Sequence, residues 1–232
     1  MSTVNRCEVR NDWTLHIDAE TVLRAMGAYP RAMRMRQPRF VSLVERILAA
    51  EQDRFAPSAA IRTVRVREQA ADRFCLESGT EIKNRVLCGQ LTGAESVVVV
   101  VATIGKHFED VSEGDDLPRR LIVDAIGTAG VAALRDGVLI EAEAAARKAG
   151  LNRTDALHPG MKGWGLAEGQ AQIFSMVDGR AAGVLLTESF MMRPKKSVSF
   201  LFGLGARVGQ GTARCQDCDS AGVCRYKTHL YG

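Results

Sequence analysis

The sequence lacks the features that mark several large classes of protein. Aromatic residues make up only 6% of its 232 residues and the net charge is a mild +4. No stretch approaches about 18 consecutive apolar residues, so no membrane span is expected. The basic residues form no long run, so nucleic acid is not expected as a partner. The polar N-terminus has no apolar core typical of a signal peptide, and we therefore expect a cytoplasmic protein.

Internal repeats, low-complexity tracts, a Walker loop and a dinucleotide fingerprint are also missing from the sequence. Hydrophobic residues account for 46% of the chain and charged residues for 25%, which is typical of a globular protein. At this length a single α+β domain is the simplest organisation. We expect that domain to cover residues 1–210, followed by a cysteine-rich C-terminal tail at residues 211–232.

Apolar residues at helical spacing predict three helices. A short helix begins after Asp18, a residue that favours a helix N-cap, and ends at Gly27. A second helix lies within residues 38–53, and a long third helix covers residues 117–150. Glycines in the third helix indicate either another backbone or a flat ligand lying close to it, or else plain tight helix packing. These glycines are Gly127, Gly130 and Gly137.

Three further stretches predict strands. Residues 13–17 predict a short strand, and residues 61–67 alternate in part between apolar and polar side chains. Residues 97–101 are five consecutive valines, which favour a strand that is buried on both faces of a sheet.

The most informative stretch lies towards the C-terminus. An apolar run at residues 182–186 ends on the polar trio at residues 187–189, and a second, partly alternating run covers residues 197–202. Pro194 and the lysines that follow it separate the two runs. A buried strand rarely ends on a carboxylate between two hydroxyls without a ligand to bind or a cap to make. The spacing predicts a hairpin, whose connection is either an ordinary polar turn or a binding surface.

Residues 186–199 (LTESFMMRPKKSVS) resemble the segment LTESF-x-M-x-P-x-x-SVSG of the activation domain of cobalamin-dependent methionine synthase. Residues 158–164 (HPGMKGW) are similar to that family's Pro-Gly-Tyr loop. The opening at residues 17–27 (ID-x-x-x-V-L-R-x-M-G) resembles the start of its stand-alone forms. The resemblance covers most of the chain. It implies an α+β domain with a twisted antiparallel sheet and flanking helices.

In this family the domain binds S-adenosylmethionine and presents its methyl group to an oxidised cobalamin, which is reduced and remethylated. The resemblance therefore implies a stand-alone reactivation factor. Its partner would be a cobalamin-dependent methionine synthase or a related corrinoid methyltransferase that carries the cobalamin. An electron donor such as a flavodoxin or a ferredoxin is implied as well. The binding residues that the resemblance implies are Pro159, Gly160, Met161, Gly163, Thr187, Glu188, Ser189, Ser197 and Ser199.

The sequence departs from the family pattern at the positions that hold the methyl donor. An arginine three residues before the proline is replaced by Ala156, and the tyrosine after Pro-Gly is replaced by Met161. A carboxylate that the family places on the long helix falls at Ala132. Because hydrogen bonds to charged groups contribute about 1.5–3 kcal/mol each, these changes weaken the prediction of donor binding. The corrin-facing segments TESF and SVS are intact.

Cysteines form a separate constellation at the C-terminus. Cys215, Cys218 and Cys224 make a C-x2-C-x5-C array, in which the first pair has the spacing of two ligands to one metal. Zinc would make the array a structural clasp, an iron–sulfur cluster would make it an electron-transfer site, and reduced thiols without metal are the third alternative. Cys75 and Cys88 are widely spaced, and we interpret both as packed thiols.

The array leads to a second functional hypothesis. The chain would then be a corrinoid-protein reductase or escort that works without S-adenosylmethionine and carries electrons on a cysteine-ligated iron–sulfur site. A third hypothesis is an interaction protein that has kept the fold and lost the chemistry.

Overall fold

The structure is a computed structural model and describes residues 7–109 and 116–209. Within these ranges the chain forms six α-helices and nine β-strands, together with short 3-10 helices at Gln52–Arg54 and Gly179–Ala182. The helices are α1 (Ala19–Ala25), α2 (Pro30–Arg36), α3 (Pro38–Glu51), α4 (Arg85–Gln90), α5 (Leu117–Lys148) and α6 (Leu166–Met176). The strands are β1 (Cys7–Arg10), β2 (Ser58–Gln69), β3 (Phe74–Leu76), β4 (Glu81–Ile82), β5 (Ser96–Thr103), β6 (Asn152–Arg153), β7 (Leu185–Leu186), β8 (Met192–Arg193) and β9 (Ser197–Gly205).

One antiparallel sheet forms the centre of the domain. Its strand order is β4-β3-β2-β5-β9-β6, and β1 pairs with the same edge of β2 that β3 uses. Strands β7 and β8 form a separate two-stranded ribbon. The expected α+β class, with an antiparallel sheet and flanking helices, is confirmed.

The register of the central strands separates the side chains into two faces. Strands β5 and β9 pair over eight residues, from Ser96 opposite Leu204 to Thr103 opposite Ser197. Alternate residues of β5 therefore enter two different cores, one on each side of the sheet. The prediction that the valine run is buried on both faces is confirmed.

Each face of the sheet is covered by different helices. Apolar side chains of α1, α3 and α5 cover one face, and those of α4 and α6 cover the other together with the buried ring of Trp164. Burial of these two apolar surfaces is the main favourable contribution to folding. No helix among the described residues is long and apolar enough to cross a membrane.

The predicted helices agree with the structure. Asp18 caps α1 by accepting a hydrogen bond from the Thr21 amide at 2.7 Å, and Gly27 follows the helix with a φ of 77°. In α5, an added Cβ at Gly130 would lie 2.5 Å from the Phe55 ring, and one at Gly127 would lie 2.9 Å from the Cβ of Phe108. Of the interpretations of these glycines, plain tight packing accounts for both positions, because the nearest neighbours are phenylalanine side chains. The thiols of Cys75 and Cys88 are buried as predicted, and burial raises the pKa of the Cys88 thiol.

Two predictions of strands were wrong. Residues 13–17 form no strand; Trp13 is buried against the core by an irregular segment that leads into α1. The apolar run at residues 182–186 is interrupted by Gly183, which has a φ of 78°. A left-handed residue ends the extended conformation, so only β7 remains of the run, and it pairs with β8 rather than with β9. The boundary expected at residue 210 and the tail after it lie outside the described residues.

The end of β9 provides a test of the packing. An added Cβ at Gly205 would overlap the backbone oxygen of Gly93, and a backbone atom cannot move aside as a flexible side chain can. Gly205→Ala should therefore lower the free energy of unfolding by about 1–3 kcal/mol in urea denaturation. Gly89→Ala is the matched control, because nothing lies within 4 Å of that position in α4. It should leave stability unchanged or raise it by up to about 1 kcal/mol. Equal stability of the two variants would contradict the close approach at Gly205.

Candidate functional site

The loop at residues 158–164 is a compact turn fixed against α6. Gly160 and Gly163 adopt φ values of 91° and 78°, which favour glycine, and the Gly160 amide donates to the Trp164 carbonyl at 2.8 Å. The buried Trp164 ring donates from Nε1 to Gln172 of α6 at 2.8 Å. The loop is therefore closed by its own backbone and tied to α6 by the Trp164 ring.

Side chains of the loop pack directly against the backbone of α6 at Gly169. An added Cβ at Gly169 would lie 2.9 Å from both the Pro159 side chain and the Trp164 ring. Met161 is half-buried against the core on the same side of the sheet. The structure therefore holds Pro159 and Met161 in packing contacts, while the backbone at Gly160 is exposed.

This loop is joined directly to β9. Leu157 and Leu201 exchange two backbone hydrogen bonds, of 2.8 and 3.0 Å. The His158 ring lies 3.3 Å through Nδ1 from the Ser199 carbonyl and 5.5 Å from the Phe200 ring centre. The two segments that resemble the activation domain are 22 residues apart at their nearest ends, Trp164 and Leu186, and the structure brings them together.

His158 is uncharged at neutral pH. Its pKa is lowered from 6.5 to about 4, mainly by burial and to a smaller extent by the positive charge of Arg135 on α5. We assign the ring proton to Nδ1, because the Ser199 carbonyl can only accept a hydrogen bond. The sequence places His158 in the loop, but its contact with β9 and α5 depends on the fold.

Residues 187–191 form a tight turn that projects Glu188. The Thr187 hydroxyl accepts a hydrogen bond from the Met191 amide at 3.0 Å and lies 3.0 Å from the Ser189 hydroxyl. Phe190 adopts a φ of 60°, which is uncommon outside glycine. The Glu188 carboxylate is exposed and has no hydrogen bond or ion pair to any described residue. Thr187 and Ser189 thus organise the turn, and Glu188 is left free at its tip.

The serines of β9 have internal partners. Ser197 donates to the Pro194 carbonyl at 2.7 Å. Ser199 is only 4% exposed and donates to the side chain of Gln170 on α6 at 2.9 Å. The Ser199 hydroxyl therefore lies between the sheet and α6 rather than on an open surface. Its buried position reflects the alternation of β9, in which residue 199 points to the α6 side.

Ion pairs hold the β7–β8 hairpin to the rest of the domain. Lys196 contacts Asp124 at 2.7 Å and Thr128 at 2.9 Å on α5, and Arg193 contacts Glu109 at 2.6 Å. An added Cβ at Gly127 would lie 3.0 Å from the Lys196 side chain, so this glycine makes room for the lysine. Sequence reasoning missed this anchor, because a lysine after a proline is most often solvated and only Gly127 hints at the contact.

The arginine next to the loop is already engaged. Arg153 pairs with Glu143 of α5 at 3.0 Å and donates to the Thr154 carbonyl at 3.0 Å. Ala156, where the family has its arginine, packs against the core on the α5 side. Arg135 lies close enough to His158 to lower its pKa and pairs with Asp136 at 2.7 Å. A guanidinium is therefore present near the loop, but it comes from α5.

The cysteine array lies outside the described residues. Within the described ranges, no group of three or more His, Cys, Asp or Glu side chains could hold a metal ion. The prediction of a metal at Cys215, Cys218 and Cys224 therefore stays a prediction.

Comparisons with known proteins place the chain in a class of fold. No protein-family model matches the sequence, and no curated protein matches it either. Among solved structures, the chain shares the fold of reactivation domains. One similar structure is the crystal structure of the MetH reactivation domain bound to AdoHcy, with a TM-score of 0.58 and 14% sequence identity. The match covers 92% of this chain and 84% of that chain.

The buried serine of β9 yields a first prediction for the site. Ser199→Ala leaves the Gln170 side chain without its buried partner, so it should lower the free energy of unfolding by about 1–3 kcal/mol. Ser189→Ala, at the exposed turn, should change it by no more than about 0.5 kcal/mol. Urea denaturation of both variants measures the difference, and a neutral Ser199→Ala would show that this hydroxyl is not held as described.

The lowered pKa of His158 yields a second prediction. Below pH 6.5 the unfolded chain takes up a proton at this residue, while the folded chain does so only near pH 4. The free energy of unfolding should therefore fall as the pH is lowered through this window, by up to about 3 kcal/mol from His158. His158→Phe should remove that contribution, whereas His16→Gln, at an exposed position, should keep it. Identical pH profiles for the two variants, measured by urea denaturation, would refute the assignment.

Proposed function

We propose that the chain is a stand-alone reactivation factor. It acts in trans on a cobalamin-dependent methionine synthase, or on a related corrinoid methyltransferase, whose cobalamin has been oxidised out of its catalytic cycle. The observation that carries the proposal is the pairing of Leu157 with Leu201, together with the contact of His158 with Ser199, which joins the two segments that resemble the activation domain. The shared fold with the MetH reactivation domain bound to AdoHcy supports it.

The β7–β8 hairpin suits the face of a corrin ring. Its exposed side chains combine apolar and polar character: Leu185 is 52% exposed and Met191 is 56% exposed, and they flank the free carboxylate of Glu188. A corrin presents an apolar ring face with amide side chains at its edge, and a carboxylate accepts hydrogen bonds from amides. Because Lys196 and Arg193 anchor the base of the hairpin, its tip is held ready for the partner.

The proposed donor site lies at the loop beside His158. The exposed backbone at Gly160 allows a ligand to approach closely, and the neutral His158 ring does not repel a sulfonium cation. Arg135 supplies a guanidinium for the donor's carboxylate in place of the arginine missing at Ala156. The bound donor would supply a methyl group to the partner's cobalt after a one-electron reduction, leaving S-adenosylhomocysteine. Pro159, Met161 and Gly163 support this loop, and Ser197 and Ser199 support the strand next to it.

A second candidate is a corrinoid-protein reductase or escort that works without S-adenosylmethionine. The observation in its favour is that Arg153 is engaged with Glu143 and that Ala156 is packed in the core, so the loop itself offers no free guanidinium. The electrons would then pass through an iron–sulfur site at Cys215, Cys218 and Cys224. Calorimetric titration with S-adenosylmethionine, and iron and sulfide analysis of anaerobically purified protein, separate the two candidates.

The proposed function predicts a return of active cobalamin. A methionine synthase without its own reactivation domain, holding one-electron-oxidised cobalamin, is mixed with reduced flavodoxin, S-adenosylmethionine and this chain. The cobalt absorption spectrum should change to that of methylcobalamin, and the change should require both the chain and the donor. Glu188→Gln should slow it by about 10- to 100-fold, since it removes a charged hydrogen-bond acceptor.

The control is Glu77→Gln, which alters an exposed carboxylate on the β3–β4 turn, away from the hairpin. It should react like the parent. Recovery without the donor, from protein that contains iron and sulfide, would favour the second candidate. No change of the cobalt spectrum under either condition would rule out both.

A further inference from the structure

A cavity of about 520 Å³ lies between the C-terminal half of α5 and the sheet. It is at the end of the sheet where β5 begins and β9 ends, whereas the hairpin and Ser197 lie at the opposite end. This volume falls within the range of sites for small molecules. The residues that form its floor on the sheet are Ile61, Thr63, Ser96, Val98, Phe202 and Leu204.

Alanines on α5 create the space. The helix residues over the cavity recur at positions i, i+3, i+4 and i+7, which is one face of a helix. They are Ala142, Ala145, Ala146 and Ala149. The larger Val138, one turn earlier, closes this end of the cavity, and Leu134, two turns earlier, fills the same face; both are buried in the core. Because protein interiors are normally close-packed, a run of methyl groups facing an apolar sheet leaves room for a ligand.

Unpaired polar groups line the cavity. The hydroxyls of Thr63 and Ser96 are half-buried, and neither forms a hydrogen bond to any described residue. The Glu8 carboxylate at the rim also has no hydrogen bond or ion pair within the described ranges. Half-buried hydroxyls without a protein partner hydrogen-bond to water, so both groups are available to a ligand that enters the cavity.

The charge of the rim favours a cation. Arg10 pairs with Glu141 of α5 and lies over the Trp13 ring at 4.2 Å, so its positive charge is already matched. Glu8 adds an unmatched negative charge. The C-terminal end of α5, near Ala149, adds the negative end of the helix dipole, which Arg147 and Lys148 in the last turn offset in part.

We propose that this cavity is a second ligand site, which takes a metabolite-sized apolar molecule bearing one positively charged nitrogen. The apolar body packs over Val98 and Phe202, and the cationic group lies at Glu8 with the hydroxyls of Thr63 and Ser96 as hydrogen-bond acceptors. The site is independent of the proposed reactivation function, because it uses other residues at the other end of the sheet.

Two dyes of opposite charge test the site. Thioflavin T is an apolar cation and anilinonaphthalene sulfonate is an apolar anion; both fluoresce when they enter an apolar site. The parent protein should bind thioflavin T at one saturable site and at least about tenfold more tightly than the anion. Glu8→Gln should weaken thioflavin T binding by about tenfold and leave binding of the anion unchanged or stronger.

A tryptophan placed in the cavity and a tryptophan placed just outside it form a matched pair of variants. Ala145→Trp places a large ring at its mouth and should reduce thioflavin T binding by more than about tenfold. Ala144→Trp adds the same ring at the neighbouring exposed position, which does not line the cavity, and should bind the dye like the parent. Urea denaturation confirms that both variants are folded. Equal binding by the two tryptophan variants, equal affinity for the two dyes, or no effect of Glu8→Gln would overturn the proposal.

Discussion

The pairing of β9 with β5 is the constraint on which the rest of the structure depends. It fixes eight residues of β9 against the most buried strand of the sheet, and the same strand bonds to Leu157 on its other edge. Side chains alternate along a strand, so a slip of one residue would exchange Ser199 with Phe200 and bury the wrong group on each side. The register therefore decides both the packing of the two cores and the position of the loop beside His158.

The region around the hairpin combines a fixed base with an exposed tip. Ion pairs at Lys196 and Arg193 connect the base to α5 and to the segment after β5. Surface ion pairs contribute little to stability, about 0–1 kcal/mol each, so their main effect is to set the orientation of the hairpin. The exposed Met191 and the free carboxylate of Glu188 are groups that a stable monomer does not need. In the proposed function these two groups form part of the docking surface for the corrinoid partner.

Much of the fold follows from local patterns in the sequence. The valine run predicts a strand buried on both faces, and the spacing of apolar residues predicts α3 and α5, because these signals depend only on periodicity. The predicted hairpin between residues 182–186 and 197–202 is wrong because Gly183 is left-handed and ends the extended conformation. The sequence pattern does not distinguish such a glycine from one inside a strand.

The candidate site could be predicted only in part. The resemblance identifies the loop and the TESF and SVS segments, but it does not show that Ser199 points towards Gln170 while Glu188 points outwards. The contact between Lys196 and Asp124 joins residues 72 positions apart, so no local pattern contains it. Orientation and long-range contact are properties of the folded chain, and neither can be read from the two similar segments alone.

Hydrogen exchange tests the central claim, that the loop and the hairpin form one surface for a corrinoid protein. Amide exchange of the chain is measured alone and after addition of a methionine synthase that holds oxidised cobalamin and lacks its own reactivation domain. The account predicts slower exchange in β7, β8 and the loop at residues 158–164, and unchanged exchange in α3 on the far face. Slower exchange confined to α3, or none anywhere under conditions where the two proteins bind, would contradict it.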